Sequence, residues 1–343
     1  MKRWLESIWY RASPPPAWLQ PLSRLYAWIS NRIATSKKAA ARHLPVPVIV
    51  VGNIAIGGTG KTPVTLWLVQ ELLRQGRRPG VVSRGYGGVG PFPREVSPES
   101  PTGACGDEPV LLAARSEAPV VVAPDRVAAA QLLLQQYPQT DVLICDDGLQ
   151  HYAMARDFEI CVVDASRGFG NGWLLPAGPL RELPERARGV QLLLVNGGDA
   201  RSYGAQAERF DLRIIEAINL QSGESRPLAS FAGGEAASIA GIGNPQRFFD
   251  ALRSAGLSTD EHAFPDHYIY RAEDLFFAGD APLLMTEKDA VKCQAFAQPN
   301  WWQVPAQLCF EPSAEARIRA QLQSLLAGAA PAGVHRSVAE FDE

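Results

Sequence analysis

The residues with the most recognisable chemistry stand in one short glycine-rich segment. Residues 57–62 read Gly-Gly-Thr-Gly-Lys-Thr, the core of a phosphate-binding P-loop. Glycines let backbone N–H groups surround phosphate oxygens, and a helix that begins at the loop adds the positive end of its dipole. The lysine of such a loop reaches the β- and γ-phosphates, and the following hydroxyl binds Mg²⁺. The residues predicted to bind a nucleotide are Gly57, Gly58, Thr59, Gly60, Lys61 and Thr62.

The segments on either side of this loop fit the interpretation. The apolar run at 46–51 is typical of a buried strand, and residues 62–76 predict a helix with Pro63 in its first turn and Gly76 as its end. One position departs from the strict pattern, because Ala55 stands where the first glycine is usual. The glycines at 57 and 58 can supply the torsional freedom instead, so the loop is a variant P-loop.

Two adjacent aspartates follow a second apolar run, at 142–145. Asp146 and Asp147 occupy the carboxyl end of a predicted strand, where an acid can hold Mg²⁺ or one of its waters. We assign Asp147, with Thr62, to the metal and Asp146 to catalysis, and the sequence leaves open which aspartate touches the metal directly. The alternative is an ordinary Asp-Gly turn. His151, on the same turn, is predicted to pack or cap rather than to act as a ligand.

Phosphoryl transfer to an alcohol requires a group that accepts the hydroxyl proton, typically a histidine or a carboxylate. The candidates outside the P-loop elements are Asp107, in the segment CGDEP, and His267, in FPDHY. Both are predicted to lie in proline-flanked loops, the kind of segment in which catalytic groups concentrate. Either residue taken singly is more often a loop residue without a function.

The elements that would position these residues alternate between strand and helix. Continuous apolar runs predict parallel strands that are covered on both faces. The runs are at 46–51, 80–83, 119–123, 141–145, 159–163 and 192–195. Helical material such as Arg126–Tyr137 lies between some of them. The pattern predicts an α/β fold with a doubly wound parallel sheet of the P-loop NTPase type, and a ligand crevice beyond the carboxyl ends of its strands.

A second alternation of strands and helices follows the first and predicts a smaller α/β domain, with a boundary between residues 205 and 225. The predicted organisation has four parts: 1–43, basic amphipathic helices that face a membrane; 44–215, a P-loop domain; 216–327, a smaller C-terminal α/β domain; and 328–343, a flexible tail.

The amino-terminal segment has an unusual charge. Residues 1–42 contain eight Lys or Arg and one acid, a net charge of +7, together with four of the eight tryptophans of the chain. From Trp18 to Ile33, large apolar residues recur every three or four positions and therefore share one helical face. A basic, tryptophan-rich amphipathic helix suits a membrane interface. The alternative is a helix that packs this face on the protein's own core, which explains the tryptophans but not the charge.

Composition excludes several classes of protein. With 343 residues, 46% of them hydrophobic and 20% charged, the chain is neither disordered nor collagen-like. A net charge of −3 gives no indication of nucleic-acid binding. No apolar run approaches the ~18 residues that a membrane-spanning helix needs. Five cysteines without a CxxC pair favour a reduced, cytosolic protein without a structural zinc.

Taken together, the motifs resemble the tetraacyldisaccharide 4′-kinase family of lipid A biosynthesis. They occur in the family's order, span residues 50–292, and read VGNIAIGGTGKTP, VSRGYGG, GDEP, PDR, DDGLQH, LLPAGPLRE, FPDHY and TEKDAVK. The family's loop lacks the first P-loop glycine, so Ala55 fits it. The resemblance implies ATP-dependent phosphorylation of the 4′-hydroxyl of a tetraacylated glucosamine disaccharide 1-phosphate. It also implies that 44–215 is a catalytic domain and that the smaller domain, 216–327, closes over the nucleotide. The implied enzyme is peripheral and works on the cytoplasmic face of the bacterial inner membrane.

The resemblance also implies roles for individual residues. Asp107 and His267 would form an acid–base pair, with Asp107 as the base for the sugar hydroxyl and His267 orienting it. The residues expected to contact substrate or nucleotide phosphates are Arg84, Arg126, Arg181 and Glu182. The implied ligands are ATP, Mg²⁺, the lipid A precursor and the membrane surface, with no nucleic acid and no obligate protein partner.

Two other interpretations stay open on the sequence. The first is a P-loop ATPase or GTPase switch at the membrane surface that has no lipid acceptor. The segment TEKD at 286–289 resembles the guanine-reading motif Asn/Thr-Lys-x-Asp, but its lysine, Lys288, is one position late. The second is a membrane-surface binding module that uses ATP only structurally. Loss of activity on replacing Asp107 would separate the kinase from both.

Overall fold

The computed structural model describes residues 2–11 and 13–328, and within these ranges the chain forms two β-sheets flanked by helices. The predicted tail at 328–343 lies outside the described residues except for its first position. The strands are β1 (Val48–Gly52), β2 (Pro79–Ser83), β3 (Arg94–Val96), β4 (Val120–Val122), β5 (Val142–Asp146), β6 (Phe158–Asp164), β7 (Leu192–Asn196), β8 (Ala207–Arg213), β9 (Glu216–Asn219), β10 (Ser225–Pro227), β11 (Ala237–Ala240), β12 (Asp260–Ala263), β13 (Leu283–Thr286), β14 (Trp301–Val304) and β15 (Gln307–Phe310).

The α-helices are α1 (Lys2–Trp9), α2 (Leu19–Ala39), α3 (Lys61–Arg74), α4 (Thr102–Cys105), α5 (Asp107–Arg115), α6 (Arg126–Gln136), α7 (Pro184–Arg188), α8 (Pro245–Ser254), α9 (Glu287–Cys293) and α10 (Pro312–Gly328). Short 3-10 helices lie at Ala200–Tyr203, Leu228–Phe231, Ala272–Ala278 and Gln294–Phe296.

The large sheet has the strand order β15-β8-β7-β6-β1-β5-β2-β4-β3 over the described residues. Its interior strands from β8 to β4 pair in parallel, as the continuous apolar runs predict. Successive residues of β1 enter opposite cores, because Ile49 and Val51 pack on one face of the sheet and Val48 and Val50 on the other. The predicted doubly wound α/β fold is therefore confirmed, and the carboxyl ends of β1, β5, β6 and β7 meet at one edge.

The small sheet has the order β10-β9-β14-β13-β11-β12 over the same described part of the chain. Strands β14, β13, β11 and β12 are parallel, and β9 and β10 extend the sheet antiparallel. Ile239 and Met285 pack on one of its faces, and Leu284 and Trp302 on the other. This sheet carries α8, α9 and the turn that contains His267.

The end of the chain departs from the predicted organisation. We expected 216–327 to form one C-terminal unit, but β15 pairs antiparallel with β8 at the edge of the large sheet, with Cys309 opposite Asp211. Helix α10 follows it and places its i, i+4 row of Ile318, Leu322 and Leu326 in the core of that sheet. Apolar complementarity to this core, rather than chain order, decides where residues 307–328 pack. The small sheet is thus an insertion between β8 and β15.

Helix α2 presents most of its apolar side chains to solvent. Its buried residues are Leu19 and Ser23, and the Ser23 hydroxyl donates a hydrogen bond to the Leu174 carbonyl at 2.8 Å. Tyr26 and Ala27, which are half-buried, pack against the core of the large sheet. The exposed set is Trp18, Leu22, Leu25, Trp28, Ile29 and Ile33. The apolar face predicted from the sequence is therefore not the face that packs on the core. No helix within the described ranges is both long and apolar enough to cross a membrane.

Candidate functional site

The P-loop connects β1 to α3, as the sequence predicts. Gly57 and Gly60 have φ angles of +116° and +97°, a region that side-chain-bearing residues rarely occupy. Gly60 caps α3, and a Cβ atom at this position would lie 2.9 Å from Asn196 Nδ2. Ala55 makes an isolated bridge to Leu180 instead of taking such a torsion, which explains why a glycine is not required there. The positive φ angles of the loop are therefore at Gly57 and Gly60.

Two asparagines outside the motif hold the loop in shape. Asn53 Nδ2 donates to the Gly57 carbonyl at 3.2 Å and to Thr59 Oγ1 at 3.4 Å. Asn196, at the end of β7, donates from Nδ2 to the Thr59 carbonyl at 3.2 Å. Both are nearly fully buried. The sequence analysis did not identify them, although an asparagine at the carboxyl end of a buried parallel strand is a signal that could have pointed to Asn196.

The two adjacent aspartates face different surroundings. Asp147 lies with Oδ1 3.3 Å from Lys61 Nζ and Oδ2 3.7 Å from the Arg181 guanidinium. Its burial raises its pKa, but the charges of Lys61 and Arg181 outweigh burial and hold the pKa at about 2. Asp147 is therefore a carboxylate beside the P-loop lysine. Its φ of +50° turns the backbone sharply after β5.

Asp146 points into the protein. It is fully buried, and Oδ1 accepts a hydrogen bond from Thr65 Oγ1 at 2.8 Å while Oδ2 accepts one from Ser83 Oγ at 3.4 Å. Burial, followed by the charges of Glu108 and Asp147, raises its pKa to about 7. Asp146 is therefore hydrogen-bonded to α3 and β2, whereas Asp147 faces the P-loop lysine.

The structure brings Asp107 and His267 together although 160 residues separate them in the chain. His267 Nδ1 is hydrogen-bonded to Asp107 Oδ2 at 3.0 Å. Asp107 is 5% exposed and begins α5, so the prediction that it lies in a loop is wrong. The preceding Gly106 has a φ of +89°, and an acid in the first turn suits the helix dipole. His267 lies in a turn with a φ of +59°, and Tyr86 packs against its ring at a centroid distance of 5.2 Å.

Asp107 and His267 each stabilise the charged form of the other. Burial raises the pKa of Asp107, but the hydrogen bond from His267 and the charge of a neighbouring lysine bring it below its usual value. The hydrogen bond to Asp107 raises the pKa of His267 against the effect of its partial burial. Asp107 therefore remains a carboxylate at neutral pH and can accept a proton, while His267 holds one of its oxygens.

The remaining predicted contact residues lie around the aspartate pair. Arg126 is buried and donates to the carbonyls of Pro124 and Asp147, at 2.9 and 3.4 Å, while its Nε has no hydrogen-bond partner among the described residues. Arg181 faces Asp147, as described above, and Arg84 is exposed to solvent. Glu182 accepts hydrogen bonds from Gln150 and Tyr152. Its carboxylate is thus held by the protein itself.

His151 lies close to the aspartate pair, and its imidazole is uncharged. Burial, with the charge of Arg126 next in size, lowers its pKa to about 4, so its imidazole is neutral at pH 7. Its Nε2 is buried and makes no hydrogen bond within the described part of the chain. This fits a packed residue.

The small sheet also contacts the P-loop directly. Arg247, on α8, lies 3.4 Å from Asp164 Oδ2 and donates to the Asn196 side-chain carbonyl, the same Asn196 that holds Thr59. A Cβ atom on Gly243 would lie 3.3 Å from the Gly58 nitrogen. Arg167 donates to the Gly243 carbonyl at 2.9 Å. Sequence analysis did not identify this set of contacts, which join the two sheets on one side of the loop.

These contacts lead to a prediction about nucleotide affinity. Replacing Arg247 with methionine removes a charged hydrogen bond to Asn196, so the P-loop loses part of its support. We expect the KM for ATP to rise about tenfold, which corresponds to the ~1.4 kcal/mol of one such bond, with a smaller change in kcat. Steady-state kinetics at varied ATP measures this. Arg253→Met is the matched control, because Arg253 is on the same helix but pairs only with surface acids. An equal rise in the control variant would contradict the role of Asn196.

Comparison with known proteins places the chain in a family. The family model described as tetraacyldisaccharide-1-P 4′-kinase matches residues 16–323. Tetraacyldisaccharide 4′-kinases of Pseudomonas aeruginosa (strain LESB58) and Nitrosococcus oceani are 48% and 47% identical, over 94% and 92% of this chain and 98% and 93% of theirs. A crystal structure of LpxK from Aquifex aeolicus in complex with ATP is similar, with a TM-score of 0.76, 28% identity, and coverage of 89% of this chain and 97% of that one. With a P-loop, an aspartate pair and an Asp–His pair already in place, this match establishes that the chain belongs to the tetraacyldisaccharide-1-P 4′-kinase family.

Proposed function

We propose that the protein is an ATP-dependent lipid kinase that transfers the γ-phosphate of ATP to the 4′-hydroxyl of tetraacyldisaccharide 1-phosphate. The observation that carries this proposal is the hydrogen bond between Asp107 and His267, which joins the large sheet to the small sheet. An ionised, buried carboxylate held by a histidine is suited to take a proton from an alcohol. A phosphate-binding loop without such a base would suit a protein that only binds the nucleotide.

The proposed reaction is an in-line displacement at the γ-phosphorus. The 4′-oxygen forms a bond to phosphorus, the bond from phosphorus to the bridging oxygen of ADP breaks, and the hydroxyl proton passes to Asp107. His267 fixes the accepting carboxylate through Nδ1. Lys61 and the backbone N–H groups of the loop stabilise the charge that develops on the phosphate oxygens. Asp146, held by Thr65 and Ser83, would keep the end of β5 in position.

Residues that suit a magnesium ion are present beside the loop. Asp147 Oδ1 lies beside the P-loop, 3.3 Å from Lys61 Nζ, and Asp147 remains ionised. A carboxylate oxygen and a hydroxyl are oxygen donors of the kind that Mg²⁺ takes. We propose that Asp147 and Thr62 would hold the ion, which when bound neutralises charge on the β- and γ-phosphates. The positive charges of Lys61 and Arg181 would keep Asp147 ionised.

The cationic groups that surround this site suit the phosphates of ATP and the 1-phosphate of the acceptor. We propose that Arg84, Arg126 and Arg181 contact these phosphates, because a guanidinium can bind phosphate oxygens in pairs. Glu182 is proposed to act through Gln150, which donates to the Asn53 carbonyl at 3.0 Å and to Glu182 at 2.8 Å. The two sheets are proposed to close on ATP as separate domains, which would complete the site and exclude water.

We further propose that the enzyme works as a peripheral protein on the cytoplasmic face of the bacterial inner membrane. The exposed apolar face of α2, from Trp18 to Ile33, supports this, since its large side chains are 43–60% exposed. Trp4 stacks on Trp18 at 6.1 Å, which adds α1 to the same surface. Arg24 and Arg32 lie on the same helix and suit anionic headgroups. The acyl chains of the acceptor would then stay in the bilayer.

Membrane contact through α2 makes a prediction about vesicle binding. Replacing Leu22, Leu25 and Ile29 together with serine removes apolar area that would enter the interface. We expect the partition coefficient onto vesicles of phosphatidylethanolamine and phosphatidylglycerol to fall by at least about tenfold, given ~1.5 kcal/mol or more for each fully buried side chain. Sedimentation with vesicles measures it. Ile215→Ser is the control, because Ile215 is 55% exposed but lies outside this helix. Unchanged binding of the triple variant would contradict the proposed surface.

The test of the proposed function is direct. The purified full chain is incubated with γ-labelled ATP, Mg²⁺ and tetraacyldisaccharide 1-phosphate in detergent micelles, and the lipid and free phosphate are then separated. We expect the label on the lipid. Label found only in free phosphate, with or without lipid, would support an ATPase switch. Nucleotide binding without turnover would support a binding module.

A further inference from the structure

A lysine outside the recognised catalytic groups lies at the contact between the two sheets. Lys288 is the second residue of α9, and its side chain is 15% exposed. Its Nζ lies 3.2 Å from Glu108 Oε1, 3.2 Å from Asp266 Oδ1 and 3.8 Å from Asp107 Oδ2. The ammonium group therefore contacts α5 of the large sheet and, in the small sheet, the turn that carries His267.

The motif that contains this lysine does not read guanine. Asp289, the aspartate of TEKD, is fully buried and accepts hydrogen bonds from the Gly241 amide at 2.9 Å and the Tyr270 hydroxyl at 3.0 Å. Thr286 caps α9 by accepting a hydrogen bond from the Asp289 amide. Both residues thus fix the start of α9. Lys288 is the member of the motif whose side chain reaches the Asp–His pair.

We propose that Lys288 is a positioning residue that fixes the Asp107 carboxylate against His267 when the two sheets come together. This inference rests on the proposed function, because it assigns a role toward the proposed base. Its ammonium group is shared among three carboxylates, so it can hold α5 and the His267 turn in one relative position. A buried cation with this arrangement also offsets the repulsion among Asp107, Glu108 and Asp266.

Within the described part of the chain, the charged groups that face the pair come from three elements, and the Tyr86 side chain, which follows β2, packs against the His267 ring. Asp107 and Glu108 lie on α5, Asp266 and His267 lie on the turn, and Lys288 lies on α9. Lys292, one turn further along α9, is already paired with Asp289 at 2.7 Å. Burial raises the pKa of Asp107, and the hydrogen bond from His267 and then the charge of Lys288 lower it. The hydrogen bond to Asp107 raises the pKa of His267, and burial and then the charge of Lys288 lower it. Removal of this charge therefore moves both pKa values upward.

Arg115 provides a control that separates a purely structural role of Lys288 from a role toward Asp107. Arg115, at the end of α5, is paired with Glu287, the first residue of α9, so it joins the same two helices. Arg115 does not touch the Asp–His pair. If Lys288 served only to dock α9 on α5, Arg115→Gln and Lys288→Met would have the same consequences. A role toward Asp107 predicts that they differ.

The experiment measures kcat for lipid phosphorylation from acid to neutral pH with the full chain and three variants: Lys288→Met, Lys288→Arg and Arg115→Gln. We expect Lys288→Met to lower kcat by roughly 10–100-fold, in line with misplacement of a catalytic group, with little change in the KM for ATP. We expect the acid limb of its profile to move to higher pH, because both members of the pair gain protons more readily. Lys288→Arg should restore the limb, and Arg115→Gln should leave it in place.

A second readout does not depend on activity. The chain has five histidines, so NMR of histidine-labelled protein can follow the His267 imidazole, assigned with His267→Asn. We expect its titration to move upward in Lys288→Met. If Lys288→Met does not fold, the same titration is measured in Lys288→Gln. A profile and a titration that match the wild-type protein, or an equal shift in Arg115→Gln, would overturn the proposal. Absence of lipid phosphorylation by the wild-type protein would instead overturn the proposed function.

Discussion

Asp107→Asn lowers kcat for lipid phosphorylation by about 10²–10⁴-fold, the range that general-base catalysis contributes. The amide occupies the same space as the carboxylate and can still accept from His267 Nδ1, which lies 3.0 Å away in the wild-type protein. It cannot take the hydroxyl proton. We expect the KM for ATP to change little, because the P-loop contacts are separate from α5. Transfer of γ-label to the lipid under single-turnover conditions measures this effect.

The same variant has a second expected consequence. The Asp107 carboxylate raises the pKa of His267 through its hydrogen bond and also through its charge. The neutral amide of Asp107→Asn keeps an acceptor but removes the charge, so we expect the pKa of His267 to fall. Histidine NMR in Asp107→Asn and in the wild-type protein tests the sign. His262→Asn is the control, because His262 pairs with Asp260 on the surface, away from the site. Full activity of Asp107→Asn would contradict the role of Asp107 as the base.

The second large effect is expected at the P-loop lysine. Lys61→Met should lower kcat by about 10²–10³-fold, comparable to the loss of a donor that stabilises transition-state charge. It also removes the larger of the two cationic influences on Asp147, so the pKa of Asp147 rises. Rapid-quench measurement of phosphoryl transfer at saturating ATP reports the chemical step, and equilibrium binding of ATP reports ground-state affinity.

Arg74→Met is the matched control for this substitution. Arg74 is the last residue of the same helix, α3, and its exposed side chain pairs with the buried carboxylate of Glu71. It lies at the end of the helix that is remote from the loop. A similar loss of rate in both variants would indicate damage to α3 rather than loss of the phosphate contact, and a loss of ATP affinity with an unchanged kcat would assign Lys61 to ground-state binding alone.

Local pattern predicted the P-loop well, for a physical reason. The strand, the glycine torsions and the helix start are all set by residues within 48–74, so short-range sequence carries the information. The contact between Asp107 and His267 is different, because it depends on how the two sheets pack across 160 residues of chain. The sequence offered each residue as a candidate, and only the resemblance to a family paired them.

The errors came from ranking one signal above another. The proline near Asp107 predicts a loop, but an acid pair and a proline just after a glycine are also typical of a helix's first turn. Chain order predicts that residues 307–327 belong with the small sheet, whereas the spacing of Ile318, Leu322 and Leu326 predicts only that some core covers them. Which core does so is decided by packing between elements distant in sequence.

The position of the small sheet between β8 and β15 affects the order in which the molecule can be made. Residues 216–304 are contiguous, so the small sheet has all of its strands before the ribosome reaches β15. The nucleotide-binding sheet, by contrast, lacks its edge strand and the helix α10 until synthesis has passed residue 328. We expect the inserted unit to fold first during translation, and a chain that stops before residue 307 to leave β8 as an unprotected edge, open to aggregation.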